Sequence, residues 1–161
     1  MKQSLLARLT NQPDALTHLL AGLREDQIRQ RPQPKKWSIF QNLAHLARYQ
    51  DVFMERIQRI IAEETPSFSR YIANDDAGFS NWTPLSLQEL SQRMILIRTV
   101  LTDFLSSLEE DQLKRVGLHP AYGPMTIEGW TEFFLLHEAH HFFTILKLGS
   151  TLRASKQPMG F

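Results

Sequence analysis

The chain contains no cysteine, so it cannot close a disulfide, present a thiolate nucleophile or build a Cys-type zinc or iron–sulfur site. That absence also fits a reducing compartment. Charge of one sign is lacking too: 18 basic and 17 acidic side chains leave a formal charge of +1, and without a basic field or a binding motif the sequence gives no support to nucleic-acid recognition. No apolar run reaches the roughly 18 residues needed to span a membrane. The N-terminus, Met1 to Arg8, has no charged stretch followed by a long apolar segment. These features set the expectation of a cytoplasmic protein.

With 161 residues and 42% hydrophobic content the chain has enough material for one compact core. It is read as a single domain over residues 1–161, with 150–161 as a C-terminal tail. The tail carries Arg153 and Lys156 and no acid, and is expected to be a solvated or partner-contacting arm.

Apolar spacing is helical almost throughout, and no run shows the sustained alternation of a strand, which predicts an all-α fold. A first helix, broken at Asn11-Gln12-Pro13, resumes through Leu16, Leu19 and Leu20. A second starts at Ser38, with Gln41 in the capping-box position, and carries the stripe Ile39, Leu43, Leu46, Phe53, Ile57, Ile60. A third starts at Ser86 with Glu89 closing its box, and its stripe runs from Leu87 and Leu90 through Met94, Ile97 and Leu101 to Phe104 and Leu108. A fourth is predicted from about Thr126 to Gly149, the glycine serving as its terminator. Between the second and third lies a loop of about twenty residues, Thr65 to Pro84, whose four aromatics predict that it packs over the bundle. The architecture expected is a four-helix bundle with a broken first helix, a design that places sites among inward-facing side chains.

Six histidines stand out against this background, three of them in Leu136-His137-Glu138-Ala139-His140-His141-Phe142. Four residues along a helix turn 400°, so His137 and His141 lie about 40° apart in projection and about 6 Å apart along the axis. They share the stripe of Ile127, Trp130, Phe134 and Leu148 and so occupy core positions, where an imidazole needs a partner such as a divalent cation. The bland reading of each is a hydrogen-bonded core histidine. His45, on the flank of the second helix's apolar face, is the candidate third ligand. His140 competes with His141 as partner to His137, though it falls on another stripe with Phe133, Leu136 and Phe143. His18 and His119 carry no such spacing and read as ordinary.

Two motif matches fail on count. Residues 137–141 spell H-E-x-x-H, the zinc-peptidase pattern, but no His, Asp or Glu follows from Phe142 onward to supply a third ligand. Glu138, moreover, projects about 100° away from His137. Glu138 to His141 also spell the E-x-x-H of di-iron bundles, and no second copy exists.

Taken together, Arg31-Pro32, Lys36-Trp37-Ser38-Ile39, Leu43-Ala44-His45-Leu46, Gly123, Thr126, Trp130 and His137-Glu138-Ala139-His140-His141 resemble the DinB (damage-inducible) superfamily of metal-binding four-helix bundles over nearly the whole chain. The resemblance implies a divalent metal, nickel or zinc, held by residues matching His45, His137 and His141. It further implies a homodimer and a small-molecule substrate. The family's known activities point to a transferase using a low-molecular-weight thiol, with hydrolysis at the same site as a variant. Gln41 departs from the acidic residue common there, which bears on helix capping or on a contact behind the metal. Three neutral imidazoles would leave coordination positions open, so that a bound water or thiol is acidified. With no cysteine in the chain, the sulfur of any thiol chemistry must be supplied from outside. Trp82, Tyr122 and Trp130 are candidate wall residues. The contrasting reading is a helical interaction module with a structural or vestigial metal site.

Overall fold

A computed structural model of the chain describes residues 1–154. The first helical stretch breaks where its proline requires: α1 (Gln3–Asn11) passes into a 3-10 turn over Gln12–Asp14, and α2 (Ala15–Leu20) resumes beyond it. Pro13 sits at the opening of that turn, where its missing N–H is no loss. The short α3 (Glu25–Arg29) follows.

Helices α4 (Ile39–Ala62) and α5 (Leu87–Ser106) begin at reciprocal capping boxes. The Ser38 hydroxyl accepts from the Gln41 N–H at 3.1 Å, and the Gln41 carboxamide oxygen accepts from the Ser38 N–H at 3.1 Å. Gln41 therefore closes the box as an acidic residue would. After α6 (Glu110–Leu113) comes a feature the periodicity did not predict, an antiparallel hairpin of β1 (Val116–His119) and β2 (Gly123–Thr126). Four-residue strands are too short to display alternation. The usable signal was Gly123, whose φ of +71° turns the chain between them.

Helix α7 (Ile127–Ala154) corrects two expectations. It does not stop at Gly149, and residues 150–154 are helical; positions 155–161 of the expected arm lie outside the described residues. Gly149 is buried within the helix, where a Cβ would lie 2.9 Å from the flexible end of Arg153, Nη1, and in ordinary contact, 3.4 Å, with Leu23 Cδ1. Arg153 in turn donates to the carbonyls of Leu19 at 2.7 Å and Ala21 at 2.9 Å, tying the end of α7 to that of α2.

The long α4 packs against α5 and α7, while α1 contacts both of these and α2 contacts α7. The result is a mostly helical four-helix bundle. The stretch between α4 and α5 lies over it with Phe68, Phe79 and Trp82 buried. It is pinned at Asp76, which accepts from Arg48 Nε at 2.7 Å, Tyr71 Oη at 3.0 Å and the Gly78 N–H at 2.8 Å. Among the described residues no helix is long and apolar enough to cross a membrane.

The core forms two apolar clusters. One gathers Phe53, Leu101, Trp130 and Phe134; the other gathers Leu43, Leu46, Leu90, Trp82 and Phe142. The same helices also contribute buried or half-buried polar side chains: His45 and Gln50 from α4, Arg98 from α5, and His137, Glu138 and His141 from α7. Burying polar groups is costly unless each finds a partner. The partners found determine what these side chains can do.

Candidate metal centre

His45, His137 and His141 each offer a ring nitrogen within 4.8 Å of the other two. His45 comes from the second turn of α4, fixed by the Ser38 cap, and the pair on α7 meets it across the α4–α7 contact. The Nε2 atoms of His45 and His137 stand 3.1 Å apart. Two ligands about 2.0–2.1 Å from a common ion are separated by roughly 2.9 Å at a right angle and 3.4 Å in a tetrahedron. The observed spacing lies between these values and thus fits shared coordination. His45 is only 4% exposed, deeper than a flank position predicts.

Among the described residues, His141 Nδ1 is the one of the six ring nitrogens that bonds to a protein atom outside the cluster. It lies 2.8 Å from Asn42 Oδ1. Asn42 is oriented by its own amide, whose Nδ2 donates to the Ser38 carbonyl at 2.8 Å. With Oδ1 so directed, His141 Nδ1 must be the donor, and the Nε2 lone pair is left for a ligand. The Nδ1 atoms of His45 and His137 are buried without a hydrogen-bond partner among the described residues. Such orphaned polar atoms, beside two nitrogens aimed at one another, mark a site whose donors are not satisfied by the protein alone.

Electrostatics keep these rings neutral. Burial, then the neighbouring His141 and His137, pushes His45 from the ordinary 6.5 down to about 3. Burial, followed by His141, His140 and Arg56, does the same for His137, also to about 3. Burial and His140 lower His141 to about 4. Near neutral pH the cluster presents imidazole lone pairs, the form a metal requires.

A cavity of about 720 Å³ opens over the cluster. Trp37, Tyr49, Tyr71 and Phe133 form much of its aromatic wall, joined by His119 and Tyr122 from the hairpin. The Tyr49 ring lies 4.5 Å from that of His137 and the Trp37 ring 5.1 Å from that of His45. Of the wall residues expected from sequence, only Tyr122 lines this cavity. Trp82 belongs to the core, as does Trp130, whose Nε1 donates to the Gly117 carbonyl at 3.3 Å.

The remaining histidines are placed apart from the cluster. His140 is exposed, its ring 5.6 Å from that of His141, and His18 is exposed on α2. His119 is a cavity-wall residue, a position its spacing did not reveal. Its Nδ1 accepts from the N–H groups of Ala121 at 3.1 Å and Tyr122 at 3.2 Å, which fixes the Nε2–H tautomer. Glu138 faces away from the cluster, into an ion pair with Arg98. The sequence reading also missed Asn42 and Arg56. Asn42 could have been noticed one turn after Ser38 and three residues before His45, and Arg56 as a charge on the apolar stripe between Phe53 and Ile57.

Comparison with known proteins places this arrangement in context. A family model described as the DinB superfamily matches residues 8–145. A Bacillus subtilis protein, the uncharacterized YuaE, is 27% identical over 134 residues, 76% of this chain and 83% of the relative. YfiT from Bacillus subtilis, described as a probable metal-dependent hydrolase with an unusual four-helix bundle topology, superimposes with a TM-score of 0.76 at 20% identity, covering 95% of this chain and 90% of that one. The four-helix bundle protein TT2238 aligns with a TM-score of 0.65 at 19% identity, covering 89% and 97%. The DinB-like YjoA of Bacillus subtilis aligns at 0.63 and 14%, covering 99% and 97%. At such identities the structural matches speak for the fold alone.

Proposed function

This chain belongs to the DinB superfamily, and on that premise we propose that it is a metal-dependent enzyme acting on a small molecule. His45, His137 and His141 would hold one divalent cation, nickel or zinc, at the floor of the cavity. The observation that carries this reading is the pair of facing Nε2 atoms 3.1 Å apart, with a third ring nitrogen aligned through Asn42. The description of YfiT as a probable metal-dependent hydrolase supports the same class.

A cation in such a site supplies Lewis acidity to a nucleophile, water or thiol. The chain's own residues do the rest. Asn42 holds His141 in the tautomer and orientation that offer Nε2. The aromatic wall excludes water from one side of the reacting group and accepts an apolar body. Because the chain has no cysteine, transfer to sulfur needs a low-molecular-weight thiol as cosubstrate, and hydrolysis needs only water. A homodimer accompanies this reading, supported by the exposed apolar side chains Leu136, Phe143 and Leu146 on α7.

Elemental analysis of the purified chain after incubation with nickel or zinc tests the centre. One equivalent of metal is expected in the wild type and in His140→Ala, and loss in His45→Ala, His137→Ala and His141→Ala. A metal-free wild type overturns the proposal. Turnover of electrophilic esters and halides with and without a panel of small thiols then separates transfer from hydrolysis. No metal-dependent turnover of either kind would favour a non-catalytic module.

A further inference from the structure

Among the described residues, the cavity over the histidines is lined with positive and neutral groups and no carboxylate. Arg56 and Arg70 both border it. Arg56 is buried, 8% exposed, and its hydrogen bonds go to neutral acceptors: Nη1 donates to Tyr49 Oη at 3.4 Å and Nη2 to the Ser69 carbonyl at 2.9 Å. Among the described residues no carboxylate pairs with it. The other buried guanidinium, Arg98, is matched by Glu138, and Arg48 is matched by Asp76.

A buried charge without a counter-charge is costly and is retained where something completes it. The rings of Phe68 and Trp130, each with its centroid 5.5 Å from the Arg56 guanidinium carbon, and Tyr49 at 6.0 Å fix that group in place but provide no opposite charge. On α4, Arg56 follows His45 by eleven residues, three full turns, so both project to one face within about 20° of each other. Side chains on a helix lean towards its N-terminus, which brings the guanidinium back along the cavity towards Tyr49 and His137. His119, its Nδ1 already accepting, contributes an Nε2–H donor to the same wall.

We propose that the molecule admitted to this cavity is an anion with an apolar body, its carboxylate or phosphate-type group held by the Arg56 fork with Arg70 at the mouth. The proposal rests on the metal reading only for where the reacting end lies. Guanidinium geometry suits a two-oxygen anion and gives a neutral group much less.

The test uses the full chain stripped of metal by chelation, so that probe anions cannot bind through a cation. Phenylacetate, phenylphosphonate and the neutral phenylacetamide are titrated calorimetrically. The anions are expected to bind on the order of tenfold more tightly than the amide, as for hydrogen bonds to charged groups. Arg56→Gln should abolish that preference, and Arg56→Lys, which keeps the charge without the fork, should retain part of it. A stronger response to phenylacetate assigns a carboxylic acid, and a stronger response to phenylphosphonate a phosphate-type group. Equal binding of the amide by the wild type, no binding of either anion, or an undiminished preference in Arg56→Gln overturns the proposal. If Arg56→Gln fails to fold, the wild-type comparison and Arg56→Lys decide it. Nickel and zinc uptake measured on the same preparations is independent. A chain that prefers anions but takes no metal sinks only the metal reading, and a chain that takes metal but shows no anion preference sinks only this one.

Discussion

His137 and Glu138 are neighbours in the chain, and the roughly 100° between them on α7 sends their side chains to different places. The His137 ring joins His45 at the floor of the cavity, while the Glu138 carboxylate is 1% exposed inside the bundle, bonded to Arg98 and to Gln12 Nε2 at 2.8 Å. Arg98 completes the network, donating to Gln50 Oε1 at 2.6 Å and to the Leu9 carbonyl at 3.0 Å. The glutamate of this H-E-x-x-H string is thereby committed to joining α1, α4, α5 and α7. The local string matches a peptidase motif, but the helix turn directs its acid to a different task.

Replacing Glu138 by Gln should consequently act on stability. It leaves the Arg98 guanidinium buried without a counter-charge, a loss of about 3–5 kcal/mol. Arg98→Met combined with Glu138→Leu should be more stable than the single Glu138→Gln variant, because no lone charge remains. Urea unfolding of the three proteins checks the order. A Glu138→Gln variant of wild-type stability that has lost activity would instead return the glutamate to the chemistry.

Asn42 is the next residue whose role can be measured. Its Oδ1 orients His141, so Asn42→Ala should weaken metal binding by about 10–100-fold, as expected for a residue behind a ligand. His141→Ala should weaken it further. Competition against a chromophoric chelator reports both. Affinity unchanged in Asn42→Ala would show that the Ser38–Asn42–His141 chain is incidental to the site.

The helices and the convergence of three histidines were legible because each rests on a period. Ser38 with Gln41 and Ser86 with Glu89 announced the helix starts, and the four-residue step brought His137 onto one face with His141. What was not legible depends on contacts between distant segments. The β1–β2 hairpin is held in part by Phe68 and Pro66, whose backbone groups bond to Leu118 at 3.2 and 2.8 Å. Gly149 signals a helix end by composition, yet the helix runs on through it to Arg153, which bonds to the distant Leu19 and Ala21 carbonyls. His119 enters the cavity wall because the hairpin folds it there, a placement no helical spacing can encode. Arg56 was hidden for another reason: a charge on an apolar stripe looks like noise until the cavity beside it is seen.

Gly117 tests how tightly that hairpin is seated. A Cβ at this position would lie 2.7 Å from Ile60 Cγ1 and 2.9 Å from Phe68 Cε2, closer than side chains tolerate. Gly117→Ala should lower stability by about 1–3 kcal/mol through overpacking, with metal uptake unchanged. A denaturation midpoint equal to that of the wild type would mean that β1 shifts freely away from α4.

The three histidines of the cluster also predict opposite pH responses for folding and for metal uptake. Their folded values, about 3 for His45 and His137 and about 4 for His141, lie below the ordinary 6.5 of an unfolded chain. Between about pH 6.5 and pH 4 the unfolded chain therefore binds protons that the folded chain refuses, so stability is fully present above 6.5 and is lost as pH falls. The metal-free protein should show a urea midpoint that drops between pH 7.5 and 5.5, with a slope approaching three protons per molecule. His137→Leu should reduce that slope by about one proton. Metal uptake by the folded chain meets rings that are already unprotonated in this range. Calorimetry in buffers of different ionisation enthalpy should then find no histidine protons released at pH 6, where exposed histidines of ordinary pKa would release them. A release of two or more protons at pH 6 would show that the rings are charged in the folded chain and would contradict the burial that holds them neutral.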